Sequence, residues 1–185
     1  EKPWCRAHII LMIIKDPTPA RATPHQAALG SRQPPRFHCD EMLGHLARFL
    51  RAAGFDTRLA SDGVPDRQIL RQAVDEGRWL LTLDRNIMEH KLARGVAILM
   101  QQGTLDAHAE FLATRFELDW LGQSFSRCLI DNAPLEEAST AHYARVPAAS
   151  RPLAAAVKHC PECGRIYWRG SHVQRMQRRL VGWQE

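Results

Sequence analysis

Residues 36–60 read RFHCDEMLGHLARFLRAAGFDTRLA: a short apolar stretch, an amphipathic stretch and a second short apolar stretch. We predict a strand over 36–39, a helix over 42–53 and a second strand over 55–60. The helix follows from apolar residues that recur at the spacing of one helical face, and Gly54 after them is a typical C-terminal cap. This stretch therefore predicts a strand–helix–strand unit, the repeating element of a parallel α/β sheet.

The same alternation continues downstream. A second helix begins near Pro65 and ends near Glu76. Buried strands are predicted at 79–83 and 96–100, and another helix at 106–115. Because strands and helices alternate, the predicted fold class is α/β, with a parallel sheet flanked by helices on its faces.

Composition divides the chain into three predicted segments. Residues 1–36 hold six of the eleven prolines and no sustained period, as expected of a poorly ordered leader or linker. Residues 37–125 form the α/β domain. Residues 126–185 form a smaller unit with segments at 128–135 and 159–168, joined by a connection that contains Ala and Pro. This unit is too poor in aliphatic residues to hold a core without help.

The formal net charge of +5 is unevenly distributed. Residues 1–36 carry +4, residues 37–150 carry −4 and residues 151–185 carry +5. An acidic middle and a basic end suit a protein that binds cations at one place and a polyanion at another. The alternative is that the basic end only keeps the protein soluble.

Membrane and secreted classes are disfavoured. The longest aliphatic run, 9–14, is far shorter than the roughly 18 apolar residues of a membrane-spanning helix. It is also too short for a secretory signal. The five cysteines are an odd number, and two of them form one Cys-x-x-Cys motif. This pattern is typical of a reduced, cytoplasmic protein with a metal site rather than of a disulfide scaffold.

Three aspartates are expected to meet at one edge of the sheet. Asp40 and Asp84 each follow a predicted strand, and Asp66 lies in the first turn of a helix that begins at the same edge. Carboxylates so close together would repel unless a divalent cation lay between them. Oxygen ligands suit Mg²⁺ or Mn²⁺, which can activate water for phosphodiester hydrolysis.

Each of these acids also has a structural alternative. Asp84 could cap a turn, Asp66 could be a favourable charge in a first helical turn, and Glu41 could point inward in place of Asp40. Other chemistries with strand-end aspartates fit less well. A haloacid-dehalogenase-type enzyme needs a second Asp where Met42 stands. A receiver domain needs a lysine at a late strand end, and the only lysine between residues 37 and 150 lies outside any predicted strand.

A second metal site is predicted near the C-terminus. Cys160-Pro-Glu-Cys163-Gly has the form of a zinc knuckle, in which glycine allows the tight turn. Cys128 begins the first of two knuckles in chain order, with an aspartate where its second cysteine is expected. His159 or His172 could compete with that aspartate as fourth ligand, and a degraded site without zinc is the alternative. The predicted Zn²⁺ ligands are Cys128, Asp131, Cys160 and Cys163.

Arginines are the predicted contacts to a nucleic-acid strand, because they neutralise phosphates, while Tyr167 and Trp168 can stack on unpaired bases. Three of the arginines, at 175, 178 and 179, share one face if the segment is helical. The alternative is a solvated helix face. The candidate residues are Arg48, Arg51, Arg85, Arg165, Arg169, Arg175, Arg178 and Arg179.

Several motifs occur in a specific order over about residues 37–180. They are Phe37-x-x-Asp40-x-Met42-Leu43-Gly44, Leu81-Thr82-x-Asp84-Arg85, Arg127-Cys128, Cys160-x-x-Cys163-Gly164 and Tyr167-Trp168-x-Gly170-Ser171-His172. In this order the sequence resembles the Mut-seven C-terminal RNase domain family.

The resemblance implies a PIN-like nuclease fold with a C-terminal zinc ribbon and metal-dependent ribonuclease activity. It implies metal-binding roles for Asp40, Asp66 and Asp84, and zinc binding by the three knuckle cysteines. The sequence departs from the family at Asp131, which replaces a knuckle cysteine. The ubiquitin-like domain of some members is not recognisable in residues 1–36.

The sequence thus favours a Mg²⁺- or Mn²⁺-dependent ribonuclease in the cytoplasm, with single-stranded RNA as its partner and no membrane. The alternative is a non-catalytic RNA-binding module with a zinc ribbon, in which the acids are structural. A protein-interaction module is a third class, and it would not need clustered acids.

Overall fold

The computed structural model describes residues 33–154 and 156–185. The aliphatic run at 9–14 and almost all of the predicted leader lie outside these residues. The predicted α/β class is confirmed: four parallel strands form a sheet in the order β2-β1-β3-β4. The strands are β1 (Phe37–Cys39), β2 (Thr57–Leu59), β3 (Trp79–Thr82) and β4 (Ala97–Leu99).

Helices connect these strands and cover both faces of the sheet. The α-helices are α1 (Gly44–Ala52), α2 (Asp66–Asp75) and α3 (Leu105–Phe116). Short 3₁₀ helices lie at Glu41–Leu43, Asn86–Glu89 and Lys91–Ala93. Two glycines just beyond α1 and α2, Gly54 and Gly77, have φ of 96° and 63°. Glycine reverses the chain there at no steric cost, which explains where these helices stop.

The sheet separates two apolar clusters. In β3, Leu81 packs in the cluster built by α1, α3, β1 and β4, and its neighbour Leu80 packs against α2. Both leucines are fully buried. This alternation is the ordinary two-sided pattern of a parallel strand covered by helices.

The C-terminal unit is a small antiparallel sheet with flanking helices. Its strands are β5 (Glu136–Glu137), β6 (Val157–His159) and β7 (Ile166–Trp168), in the order β5-β6-β7. Its helical segments are α4 (Thr140–Ala144), a 3₁₀ helix (Ala148–Leu153) and α5 (Ser171–Gln184). Sequence periodicity did not predict α4, since five residues are too few to show a helical period.

The last helix, α5, packs on the apolar cluster beside the parallel sheet. Met176 and Leu180, one turn apart, belong to the main core. The ring centre of Trp183 lies 5.1 Å from the ring centre of Phe49 and 5.0 Å from that of Trp120. Through α5, the C-terminal unit therefore packs against α1 and α3. Among the described residues, no helix is long and apolar enough to cross a membrane.

Candidate functional site

Asp40 lies at the carboxyl end of β1 and points inward. It is 7% exposed, whereas the neighbouring Glu41 is exposed. The Asp40 backbone N–H donates to the Leu81 carbonyl at 2.9 Å, and the Thr82 hydroxyl donates to Asp40 Oδ2 at 2.7 Å. The β1–β3 register, in which Cys39 faces Leu81, brings Asp40 beside Thr82 one step further along. Of the two adjacent acids, Asp40 is therefore the inward one.

Asp84 belongs to the same hydrogen-bonded group. Its backbone N–H donates to the Thr82 hydroxyl oxygen at 2.9 Å. Its Oδ1 accepts the backbone N–H of Asn86 at 2.8 Å, which is the turn-capping role expected as the alternative. In the described residues no hydrogen bond reaches Asp84 Oδ2. The capping bond therefore occupies one carboxylate oxygen and leaves the other for a ligand.

Asp66 does not belong to this hydrogen-bonded group. It is the first residue of α2, half-buried, and no hydrogen bond within 33–154 and 156–185 links it to Asp40 or Asp84. The three carboxylates do not supply oxygens that all lie within 4.8 Å of one another. Repulsion from Asp62 raises the pKa of Glu41 at the same edge, which shows how acidic this edge is.

A cation fits the environment of Asp40. Its carboxylate is almost fully buried and accepts a side-chain hydrogen bond from Thr82 alone, with no salt bridge to a basic residue among those described. A buried carboxylate without a counter-charge is costly. A divalent ion bound by Asp40 and Asp84, completed by water, would supply that charge, since Mg²⁺ commonly binds through one or two carboxylates.

A second group of candidate metal ligands lies in the C-terminal unit, and we call it the Cys/Asp cluster. In each of its four residues one ligand atom lies within 4.8 Å of the ligand atoms of the others: Cys128, Asp131, Cys160 and Cys163. The Sγ atoms of Cys128 and Cys163 are 3.7 Å apart, and Cys160 Sγ lies 3.3 Å from both Asp131 oxygens. A tetrahedral ion with bonds of about 2.3 Å to sulfur has ligand–ligand edges of about 3.8 Å. The cluster thus has the dimensions of a small metal site.

Both knuckles are shaped to hold sulfur. Gly164, with φ of 67°, closes the second turn, and the Cys163 N–H points at Cys160 Sγ at 3.5 Å. The Tyr167 hydroxyl lies 3.0 Å from Cys128 Sγ and accepts the Leu129 N–H at 3.1 Å. Tyr167 therefore braces the first knuckle, a role that its sequence position did not reveal.

Asp131 is the fourth member of this cluster, and neither histidine takes its place. His159 stacks on His142 at 4.0 Å, and His172 pairs with Arg48 at 3.1 Å. Burial acts to raise the pKa of Asp131, but hydrogen bonds from the Cys163 and Cys128 thiols outweigh it and lower that pKa to about 2. The ionised carboxylate is available as an oxygen ligand.

Two of the arginines predicted to contact RNA stabilise the fold instead. Arg51 is 5% exposed, and it donates to the Thr57 carbonyl at 2.8 Å and to the Ile130 carbonyl at 2.5 Å. Arg179 forms two hydrogen bonds of 2.8 Å with Asp106. These contacts engage both guanidinium groups within the protein. Sequence reasoning missed them because their partners lie far away in the chain.

The other candidate arginines are accessible. Arg48 is half-buried beside His172, and its five companions are exposed. The helical segment expected at 175–179 is part of α5. The exposed group consists of Arg85, Arg165, Arg169, Arg175 and Arg178.

Thr82 is a site residue that sequence reasoning did not single out. The signal was present, since Thr82 is the polar residue in an otherwise apolar strand and stands two residues before Asp84. Period-two alternation places both at one face, next to the strand that ends at Asp40.

The fold and these sites define an α/β protein with a parallel sheet, an acidic carboxyl edge and a C-terminal Cys/Asp cluster with the dimensions of a metal site. The chain belongs to the Mut7-C RNAse domain family, whose model matches residues 35–180. Comparisons with curated proteins and with solved structures returned no match.

Proposed function

We propose that this protein is a metal-dependent ribonuclease that hydrolyses phosphodiester bonds of single-stranded RNA. The observation that carries the proposal is the Asp40–Thr82–Asp84 group at the sheet edge. Among the described residues Asp40 is a buried carboxylate without a basic partner, and the Thr82 hydroxyl that donates to it also accepts the backbone N–H of Asp84. Membership in an RNase domain family supports the substrate class. Water would complete the ligand set, and Asp66, which begins α2 at the same edge, would bind the ion through one of these waters.

The residues of this edge have distinct roles in the proposed reaction. Hydrolysis joins a water oxygen to phosphorus and breaks one bridging P–O bond. Bound Mg²⁺ or Mn²⁺ would lower the pKa of water and neutralise charge on the leaving oxygen. Asp40 and Asp84 would hold the ion, and Thr82 would fix the Asp40 carboxylate. Arg85, exposed next to Asp84, would bind a non-bridging phosphate oxygen.

We further propose that the Cys/Asp cluster binds structural Zn²⁺. Three thiolates and one carboxylate fit its preference for sulfur and its tetrahedral geometry. The neighbouring core of Val146, Ala154 and Val157 is small, so a metal would contribute much of this unit's stability. Thiolate ligands agree with a reducing compartment, and we propose the cytoplasm.

The experiment that tests catalysis compares wild type with Asp84→Asn on single-stranded RNA in Mn²⁺ buffer. Asparagine keeps an oxygen to accept the Asn86 N–H but loses the negative charge, so hydrolysis should disappear while the melting temperature stays close to that of wild type. Asp75→Asn, at an exposed acid at the end of α2, is the matched control and should retain full activity. Equal hydrolysis by wild type and Asp84→Asn would refute the proposed metal site.

A non-catalytic RNA-binding module is the second candidate. The exposed arginines of the C-terminal unit favour it, because they would contact phosphate whether or not the strand is cleaved. This candidate predicts RNA binding that is unchanged in Asp84→Asn, with no hydrolysis by wild type.

A further inference from the structure

A cavity of about 480 Å³ lies between α1, the first knuckle loop, β7 and the start of α5. Its walls contain three arginines, Arg48, Arg145 and Arg165, and two aromatic residues, Tyr167 and Trp168. No acidic residue is among the described residues that line it. The volume is in the range of small-molecule sites, and the unbalanced positive charge selects an anion.

The arginines of this cavity retain unused donors. The Nη2 atom of Arg48 meets His172 Nε2 at 3.1 Å, but its Nε is buried and has no hydrogen-bond partner among the described residues. In the same part of the chain, Arg48, Arg145 and Arg165 form no salt bridge with a carboxylate. Because Arg48 and Arg145 have no carboxylate partner in the part that the structure describes, an anion in the cavity would supply their counter-charge.

His172 contributes no charge to the cavity, but it contacts the Arg48 guanidinium that does. Burial, followed by repulsion from Arg48 and Arg175, lowers the pKa of His172 below its usual value. The neutral ring can accept the Arg48 N–H and hold that guanidinium at the cavity wall.

The start of α5 adds backbone donors. Gly170 is the N-cap and makes no side-chain cap, and the first-turn residues Ser171, His172 and Val173 line the cavity. The free N–H groups and the dipole of a helix start favour a phosphate. A side chain at position 170 would place its Cβ 2.9 Å from Trp168 Nε1, so glycine keeps the backbone close against this indole.

The remaining wall is apolar and aromatic. Trp168 is half-buried, and Leu129, Ile130 and Val173 add aliphatic surface. Such a wall suits the face of a base, which stacks on aromatic side chains independently of sequence. Phosphate donors on one side and a stacking surface on the other match the two parts of a nucleotide.

We propose that this cavity binds one unpaired nucleotide of the RNA strand, with its phosphate at Arg48, Arg145 and the start of α5, and its base against Trp168. The choice of RNA rests on the proposed function. The helix α1 begins at Gly44, beside the edge that carries Asp40, and Arg48 lies about 6 Å further along its axis. The cavity would thus hold the strand on the α1 flank of the carboxylate edge.

The test is calorimetric titration of the full chain with adenosine 5′-monophosphate, inorganic phosphate and adenosine, without added Mg²⁺ or Mn²⁺ and without chelator. The monophosphate should bind tighter than either part alone. Arg48→Ala and Arg145→Ala should each weaken it by about tenfold or more, because each removes charge-assisted hydrogen bonds. Arg94→Ala, at an exposed arginine outside the cavity, removes the same charge and should leave binding unchanged.

Several results would overturn the proposal. They are equal binding of phosphate and monophosphate, equal binding of adenosine and monophosphate, no binding at millimolar monophosphate, or wild-type binding by both variants. If Arg48→Ala fails to fold, Arg145→Ala still tests the cavity, because the Arg145 side chain is exposed.

Asp84→Asn should bind the monophosphate like wild type. Monophosphate binding without RNA hydrolysis would refute only the proposed enzyme, and hydrolysis without monophosphate binding would refute only this cavity.

Discussion

The Thr82 hydroxyl donates its proton to Asp40 Oδ2 at 2.7 Å across 42 residues of sequence. The same hydroxyl oxygen accepts the backbone N–H of Asp84 at 2.9 Å. Because the hydroxyl proton is directed at Asp40 Oδ2, this hydrogen bond fixes the orientation of the carboxyl group. One buried side chain thus orients the carboxylate of Asp40 and the backbone of Asp84, the two residues that we propose to bind the catalytic ion.

Thr82→Val should lower ribonuclease activity while preserving the volume of the side chain. Without the hydroxyl, Asp40 loses its hydrogen bond and the Asp84 N–H loses its acceptor. Loss of a group that orients metal ligands typically costs about 10- to 100-fold in metal affinity or activity. The measurement is the initial rate of RNA hydrolysis across a series of Mn²⁺ concentrations, and we expect the half-saturating concentration to rise.

Thr82→Ser is the matched control, since it keeps the hydroxyl and should recover most of the activity. Thermal melting separates the two effects of the valine variant, which should also lose about 1–3 kcal/mol of stability. A valine variant that is less stable but has an unchanged Mn²⁺ dependence would show that Thr82 serves the fold only.

Metal analysis of the purified chain should find about one zinc per molecule. Cys160→Ser should lose it and lower the melting temperature, because the C-terminal unit has little apolar core of its own. Asp131→Cys should retain the ion, since it supplies a fourth thiolate at the same place. Protein prepared without chelator but free of zinc would contradict the proposed structural site, and Asp131→Cys should then recover zinc binding.

The parallel sheet could be predicted because its local signals are strong. The buried strands end near polar residues, and Gly54 and Gly77 follow α1 and α2 with positive φ. The acidic edge followed from the rule that parallel strands present their carboxyl ends together. Which of the two acids after β1 points inward could not be read from the sequence, because it depends on the register of β1 with β3.

Long-range polar contacts were beyond sequence reasoning. Arg51 is buried because carbonyls of Thr57, Leu129 and Ile130 surround it, and those residues come from two separate segments. The docking of α5 was equally hidden, since Met176 and Leu180 are two apolar residues in a helix rich in arginine. A pattern of charges on one helix cannot show which of them has a partner on another.

Asp56 should make stability depend on pH in the acid range. Burial acts to raise the pKa of Asp56, but hydrogen bonds from Arg78, Asn132 and Arg36 outweigh it and hold that pKa well below its usual range. A depressed folded pKa gives stability that is present above the unfolded pKa of about 3.9 and is lost as the pH falls toward the folded value. Asp56→Asn should therefore be less stable than wild type at neutral pH, by about 1–3 kcal/mol.

Urea denaturation at a series of pH values measures this difference, which should shrink steadily below pH of about 4. Asp75→Asn is the control, because Asp75 is exposed at the end of α2 and should show no such trend. A stability difference between wild type and Asp56→Asn that stays constant down to about pH 2 would contradict the assigned role of this carboxylate.

The arginines of α5 should divide into two functional groups. Arg179 is paired with Asp106 by two hydrogen bonds of 2.8 Å and lies 5.7 Å from the ring centres of Phe49 and Trp183. Arg175 and Arg178, in contrast, are exposed. We therefore expect Arg179 to stabilise the fold and the two exposed arginines to bind phosphate.

The double variant Arg175→Ala/Arg178→Ala should bind single-stranded RNA more weakly than wild type and with a flatter salt dependence. The slope should fall by about 0.7 log unit for each phosphate that the variant no longer neutralises. Arg179→Ala should instead keep the wild-type slope and lose about 1 kcal/mol of stability, since it removes a partly exposed ion pair and a cation–π interaction. Binding titrations at several salt concentrations, together with thermal melts, measure both effects. If Arg179→Ala flattened the salt slope as much as the double variant, the division between a structural and an RNA-binding arginine would be wrong.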